Sequence, residues 1–262
     1  MKLQLISDLH LNEYRRSGLP EPEVLVNPDA DMVVFAGDID EGLEGIEFAR
    51  RLPTRSLYVL GNLEHYGLDI DEAAMLTKME ALSTNARVLQ NNSTIMGGVR
   101  FLGATLWTDF RAAGPSQADN VAQTEQAMND YRFIRERDQL ITPETVLHRH
   151  LETIEWMASV LSEPFAGPTV VITHHAPHLD SIPGHRAGHR LQAAYVSRLT
   201  SLMASVDYWF HGHVHAASRY DVQGCRVFCN PFGSPADHKY PNSVAQASML
   251  YDPDLLIEVT TP

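Results

Sequence analysis

The chain has 262 residues, 44% of them apolar, a formal net charge of -13 and two cysteines. Length and apolar fraction supply the core of one domain, and no Pro/Gly/Ser-rich linker or composition shift divides residues 1–262. The acidity argues against wrapping an extended nucleic-acid backbone, which needs many lysines and arginines, and no apolar run approaches the roughly 18 residues of a membrane span; a small substrate is the expected partner.

Residues 2–7 alternate and then run apolar up to Asp8-Leu9-His10, residues 31–36 are largely β-branched and aromatic up to Gly37-Asp38, and residues 56–60 end at Gly61-Asn62. Each reads as a strand with a ligand-type residue at its carboxyl end. Helix-spaced apolar residues predict helices over 41–52 and 70–82, the second with Asp69 as N-cap. A strand this close to Met1 leaves no room for a cleavable signal peptide, so a cytoplasmic location is expected. Short strands at 87–89, 94–96 and 99–104, the last two joined through Gly97-Gly98, predict a second sheet.

Residues 107–142 break the rhythm with a polar loop at 112–119 and a helix over 121–131. Their position predicts a cap over the site, although a surface insertion with no catalytic part fits the sequence equally well. Residues 143–161 form a strong helical pattern, with Thr142 as N-cap and Pro143 at the first position. Strands at 169–173 and 206–210 deliver His174-His175 and the run His211-Gly212-His213-Val214-His215, with a helix expected over 191–203 between them. Gln223-Gly224 predicts a hairpin between 219–222 and 226–229, and 248–251 with 255–259 a final strand pair. Strand-loop-helix units with chemistry at the strand ends imply an α/β fold whose site lies beyond the carboxyl ends of the strands. Cys225 and Cys229 would share a strand face about 13 Å apart. That is too far for a disulfide, so both read as small buried hydrophobes.

Two divalent cations about 3.5–4 Å apart need oxygen and nitrogen ligands and a carboxylate shared between them. Asp38 is the candidate bridge, because an unpaired carboxylate at the end of a buried strand is costly. Asp8 and His10 converge on one ion only if the chain turns after the strand, and the same holds for His213 and His215 around Gly212. A lone DxH is usually a surface turn and a lone strand-end Asp a helix cap. The signal is the joint order of the motifs, each behind an apolar strand.

These motifs resemble the calcineurin-like metallophosphoesterase superfamily, whose pattern is DxH, GD, GNH followed by an acid, a lone His, and GHxH. The match runs from Asp8 to His215. The resemblance implies a four-layer α/β/β/α sandwich of two mixed sheets flanked by helices. It also implies a dinuclear metal-dependent phosphoester hydrolase in which activated hydroxide attacks phosphorus in line. In that pattern Asp8, His10, Asp38 and His215 hold one ion, and Asp38, Asn62, His174 and His213 the other. The mixed donor set suits Mn, Fe, Zn, Co or Ni better than Mg or Ca.

One position departs from the pattern: the family histidine after Asn62 is Leu63, in the run Gly61-Asn62-Leu63-Glu64-His65. That histidine is thought to protonate the leaving oxygen or stabilise the transferring group, which leucine cannot do. His65 shares a face with position 63 in extended geometry and is the candidate catalytic acid beside Asp38. The departure tilts the reading toward a phosphodiesterase of small substrates. The alternatives are a phosphomonoesterase or protein phosphatase that uses His65, and a metal-bound scaffold with little turnover. Asn62, His175, His178 and Arg186 are candidate substrate contacts, with solvent-facing loop roles equally open for the two histidines. Residues 103–109 and 128–131 resemble segments of a bacterial phosphoesterase subgroup and are candidates to line the pocket.

Overall fold

The structure, a computed structural model, describes residues 1–112, 116–238 and 251–261. Its first half runs β1 (Lys2–Ile6), α1 (Leu11–Arg16), β2 (Met32–Ala36), α2 (Glu44–Arg50), β3 (Ser56–Val59), α3 (Ile70–Ala81), β4 (Ala86–Leu89), β5 (Asn92–Met96) and β6 (Val99–Ala104). Next come α4 (Gln117–Ala127), α5 (Asp130–Phe133), β7 (Arg135–Glu136) and β8 (Gln139–Leu140). The chain continues through α6 (Pro143–Ser162), β9 (Thr169–Thr173), α7 (Gln192–Tyr195), α8 (Thr200–Met203) and β10 (Tyr208–His211). Last come β11 (Ser218–Val222), β12 (Cys225–Cys229), α9 (Pro235–His238) and β13 (Leu256–Glu258).

One sheet has the order β13-β1-β2-β3-β4 and the other β11-β12-β10-β9-β6-β5. Strands β1 to β4 are mutually parallel, as are β12, β10, β9 and β6. Antiparallel β13, β11 and β5 close three of the edges, so both sheets are mixed.

Strand alternation explains why the inner strands are apolar throughout. Along β2, Met32, Val34 and Ala36 meet Phe101, Ile172 and Phe210 of the facing sheet. The intervening Val33 and Phe35 meet Ile46, Phe48 and Ala73 of α2 and α3. The far face of the second sheet, with Leu102, Val171 and Trp209, is covered by Met157 of α6 and Met203 of α8. The layers are therefore α/β/β/α, as the resemblance implied. Both cysteines are free and buried. Among the described residues no helix is long and apolar enough to cross a membrane.

The caps form as expected. The Asp69 side chain accepts the Asp71 N–H, and Thr142 forms a capping box with Thr145 at the start of α6. Three helices are corrected. The 41–52 helix shortens to α2, whose N-cap Leu43 offers no side-chain bond. The 191–203 helix splits into α7 and α8, because the backbone between them pairs with Ala176 and Pro177: Ala176 N–H donates to Tyr195 O, and Ser197 N–H to Ala176 O. The 121–131 helix splits at Met128, whose extended backbone (ψ 139°) ends α4. In the tail, β13 pairs with β1. Ser248 to Leu250 lie outside the described residues, and Tyr251 is not in a strand.

Candidate metal centre

The carboxyl ends of parallel strands from both sheets meet at one place. There β1 delivers Asp8 and His10, β2 delivers Asp38, β3 is followed by Asn62, β9 by His174, and β10 by His213 and His215. The backbone leaves strand geometry at these residues. Asp8 (φ 54°), His10 (49°), Asp38 (54°), His213 (68°) and His215 (46°) are all left-handed, a conformation that L-residues adopt only where the surroundings enforce it. Bonds between the loops do the enforcing: Asp8 N–H donates to Gly37 O at 3.0 Å, His10 N–H to Asp38 O at 3.1 Å, and Gly212 N–H to His174 O at 3.0 Å. A Cβ at Gly61 would stand 2.1 Å from Asp38 Oδ1, and one at Gly212 would stand 2.8 Å from Asp8 Oδ2. Only glycine lets the loops approach this closely.

Two groups that could hold a metal ion result, Asp8 with His10 and His215, and Asp38 with His174 and His213. In the first, His215 Nε2 lies 2.9 Å from His10 Nε2 and 3.5 Å from Asp8 Oδ1. In the second, His174 Nε2 lies 3.0 Å from Asn62 Oδ1, 3.1 Å from His213 Nδ1 and 3.3 Å from Asp38 Oδ1. Asp38 faces both groups, its other oxygen lying 3.8 Å from His10 Nε2.

The donor set fits a cation. His174 Nδ1 lies 2.8 Å from Ala36 O, which can only accept, so Nδ1 carries the proton of the neutral ring. Its bare Nε2 then faces the acceptor oxygens of Asn62 and Asp38, an arrangement that needs a positive centre among them. The metal-free site answers with protons. Burial works against charging His174, but Asp38 outweighs it and raises the group to about 10. Burial is likewise overcome at His10, which Glu13 and Asp38 raise to about 9. Burial alone would raise the Asp38 carboxyl, yet His174 and His10 hold it well below the usual carboxylate range.

A cavity of about 440 Å³ opens on this centre. His10, Asp38, Asn62, His213 and His215 form its floor, and Met128, Ile182, Arg186, His189, Gln192, Tyr195 and Val214 are on its walls with Asp237. Arg186 thus reaches the cavity, anchored by its Nη1–H to Val214 O at 2.8 Å. His65, His175 and His178 do not line it. His65 is buried in the turn after Asn62 with its ring 5.3 Å from Trp107, and burial lowers it to about 4. His175 packs on His213 with ring centroids 4.1 Å apart, and burial lowers it to about 3. His178 caps a turn, accepting the Asp180 N–H at 3.3 Å. Leu63 is buried, and its N–H donates to Asp38 Oδ1 at 2.9 Å.

Sequence reasoning passed over three carboxylates. Glu64 accepts from the N–H groups of Asp38, Ile39 and Gly61 and from the Tyr58 hydroxyl, at 3.0, 2.9, 2.7 and 2.7 Å. It clamps the second and third motifs together, and burial followed by the charge of Asp38 raises it to about 7. Its place as the acid of the third motif was the available signal. Asp130 and Asp237 touch Asn62 and His215 respectively. The segment 128–131 hinted at the first, and nothing in the sequence pointed to the second.

Comparison with known proteins gives the family and the fold. The family model described as calcineurin-like phosphoesterase matches residues 1–217. An uncharacterized protein of Acanthamoeba polyphaga mimivirus is 25% identical over 197 residues, covering 67% of each chain. Among solved structures, a phosphopantetheinyl hydrolase from Mycobacterium tuberculosis superposes with TM-score 0.71 at 16% identity, covering 93% of both chains. A putative 5'-nucleotidase from Staphylococcus aureus gives TM-score 0.53 at 15% identity, covering 89% of this chain and 48% of its own.

Proposed function

The chain belongs to the calcineurin-like phosphoesterase family and is a metal-dependent phosphoester hydrolase, and from that premise we propose that it works with two divalent cations and prefers small phosphodiesters. The observation that carries the two-ion reading is Asp38, with one oxygen 3.3 Å from His174 Nε2 and the other 3.8 Å from His10 Nε2. Asp8, His10 and His215 would hold one ion and Asn62, His174 and His213 the other, with Asp38 facing both. The nitrogen-rich set suits Mn, Fe, Zn, Co or Ni. Bound there, the pair supplies an activated water and neutralises charge on the phosphoryl group. Arg186 presents its guanidinium to the anionic substrate from the cavity wall, while Met128, Ile182 and Tyr195 exclude water around its organic part. The cavity volume suits a small molecule. The chain is read as one catalytic domain whose insertion at about 107–142 caps the site, since Met128 is on the cavity wall.

The preference for diesters rests on position 63. Leucine stands where the family carries its acid, and His65 is buried against Trp107 with both ring nitrogens unpartnered instead of lining the cavity. A poor alkoxide leaving group would go unprotonated, whereas an activated leaving group tolerates this, and family members without that histidine are often phosphodiesterases. Comparing bis(p-nitrophenyl) phosphate with p-nitrophenyl phosphate in the parent and in Leu63→His tests the reading. The parent is expected to favour the diester in kcat/KM, and Leu63→His to move the ratio toward the monoester. A parent that favours the monoester, with a ratio untouched by Leu63→His, supports a phosphatase using His65. Hydrolysis of neither ester by manganese-loaded protein supports the scaffold.

A further inference from the structure

Two carboxylates outside the ligand motifs adjoin the centre, Asp130 buried beneath it and Asp237 at the cavity wall. Asp130, the first residue of α5, is buried and accepts from Asn62 Nδ2 at 2.9 Å and from the Tyr66 hydroxyl at 2.8 Å. Asp237, on α9, accepts the Nδ1–H of His215 at 2.6 Å and is itself fixed by the N–H and hydroxyl of Ser234, both at 2.9 Å. Neither belongs to a strand. One comes from the insertion and the other from the chain after β12.

An amide can face an ion with its oxygen or with its NH₂, and only the oxygen is a ligand. With Nδ2 committed to Asp130, Asn62 turns Oδ1 toward His174 Nε2, 3.0 Å away. An imidazole likewise has two tautomers. With the Nδ1 proton committed to Asp237, His215 keeps a bare Nε2 toward Asp8 and His10. Each carboxylate leaves its ligand one correct face, the usual work of a group behind a metal ligand.

We propose that Asp130 and Asp237 are positioning residues that set ion affinity separately in the two halves of the centre, Asp130 through Asn62 and Asp237 through His215. The proposal rests on the two-ion reading above. It also gives the insertion a second task. Met128, which lines the cavity, precedes Asp130 by two residues, so the wall that meets substrate and the brace on a ligand are one short piece of backbone.

Calorimetric titration of the full chain with Mn²⁺, supported by electron paramagnetic resonance, tests this without reference to turnover. Asp130→Ala is expected to weaken one of two binding steps by about 10–100-fold and Asp237→Ala the other, the range typical of such partners. Asp130→Asn keeps an acceptor oxygen and should stay close to the parent. Because Asp130 acts through Asn62, the double variant Asp130→Ala/Asn62→Ala should bind no more weakly than Asn62→Ala alone. Should Asp130→Ala fail to fold because it strands the Tyr66 hydroxyl, the same titration on Asp130→Ala/Tyr66→Phe removes both polar partners together. Losses that simply add in the double variant, or parent-like uptake by folded Asp130→Ala and Asp237→Ala, overturn the proposal. A parent that takes up fewer than two ions overturns the two-ion reading itself, and this proposal with it.

Discussion

The inter-sheet core and the strand ends above it are buried alike but built on opposite principles. Between the sheets, Leu5, Val34, Phe101, Ile172 and Phe210 are fully buried and bring no polar side-chain atom. A few residues past the ends of such strands, Asp8, Asp38 and His174 are as deeply buried, with left-handed backbone at the two aspartates and polar side-chain atoms converging. The first region lowers the free energy of the fold through apolar burial. The second contributes through paired buried charges and keeps a cation-binding arrangement ready. The difference teaches that the left-handed backbone at the site lies in loops just past core strands that themselves carry none.

The comparison breaks most visibly if Asp38 and Phe210 behave alike. Asp38→Asn removes the charge that faces both ligand groups and is expected to lower kcat on the order of 10³-fold, as loss of a key electrostatic stabiliser does. Its thermal midpoint without metal should fall less than that of a core variant, because losing the pairing of Asp38 with His174 and His10 also relieves the burial cost of those charges. Phe210→Ala should do the reverse, costing about 3–5 kcal/mol of stability through a cavity between the sheets, while the protein that remains folded keeps its kcat. Paired kcat measurements and denaturant titrations decide this. A Phe210→Ala variant of full stability and lost turnover would dissolve the distinction.

The same contrast governs what the sequence made legible. The buried strands could be read because an apolar run ending in Gly-Asp or Gly-Asn carries its own boundary, and the ligands could be read because family motifs place them at those boundaries. Convergence in space was legible only as a demand, that the chain turn after Asp8 and after Gly212, and the left-handed backbone at Asp8, His10, His213 and His215 meets it. The short helices were illegible because backbone pairing with Ala176 divides 191–203, a tertiary effect that no local periodicity records. The place of His65 was misread for a related reason. Its alternation with position 63 assumed extended backbone, whereas residues 63–65 form a helical turn that carries the ring toward Trp107. Asp237 escaped notice because a single acid near His238 has no pattern to distinguish it.

Metal removal gives a smaller effect that sharpens the contrast. Ions at 100 times their dissociation constant would stabilise the fold by about 2.7 kcal/mol each. In the metal-free protein His174 and His10, raised from 6.5 to about 10 and about 9, contribute stability that is fully present below pH 6.5 and is lost as pH rises through those values. Asp38, lowered, contributes in the opposite sense, its share present above its ordinary 3.8 and lost as pH falls. The gap between manganese-loaded and chelator-treated protein should therefore widen from pH 6.5 to 9, and ion uptake near pH 7 should release protons. Melting curves across that range, with and without chelator, measure it. Parallel curves would mean that the histidines do not carry the protons assigned to them.

The smallest expected effect comes from a residue that belongs to neither region. Asp69 caps α3 by accepting the Asp71 N–H at 2.9 Å, and its other oxygen accepts the N–H of Arg137, in the turn between β7 and β8, at 2.7 Å. It ties this segment to the first sheet's helical layer at Arg137, a few residues beyond Met128 and Asp130. Replacing an N-cap Asp with Ala typically costs about 1 kcal/mol, which in a chain of this size lowers the melting midpoint by roughly 2–4 °C. If stability and chemistry are separated as the two regions suggest, Asp69→Ala shifts the midpoint and leaves Mn²⁺ affinity and kcat where they were. A fall in affinity without further loss of stability would instead mean that the insertion answers to the ligand loops as one body, and that the braced turn at Asp130 feels strain from its far end.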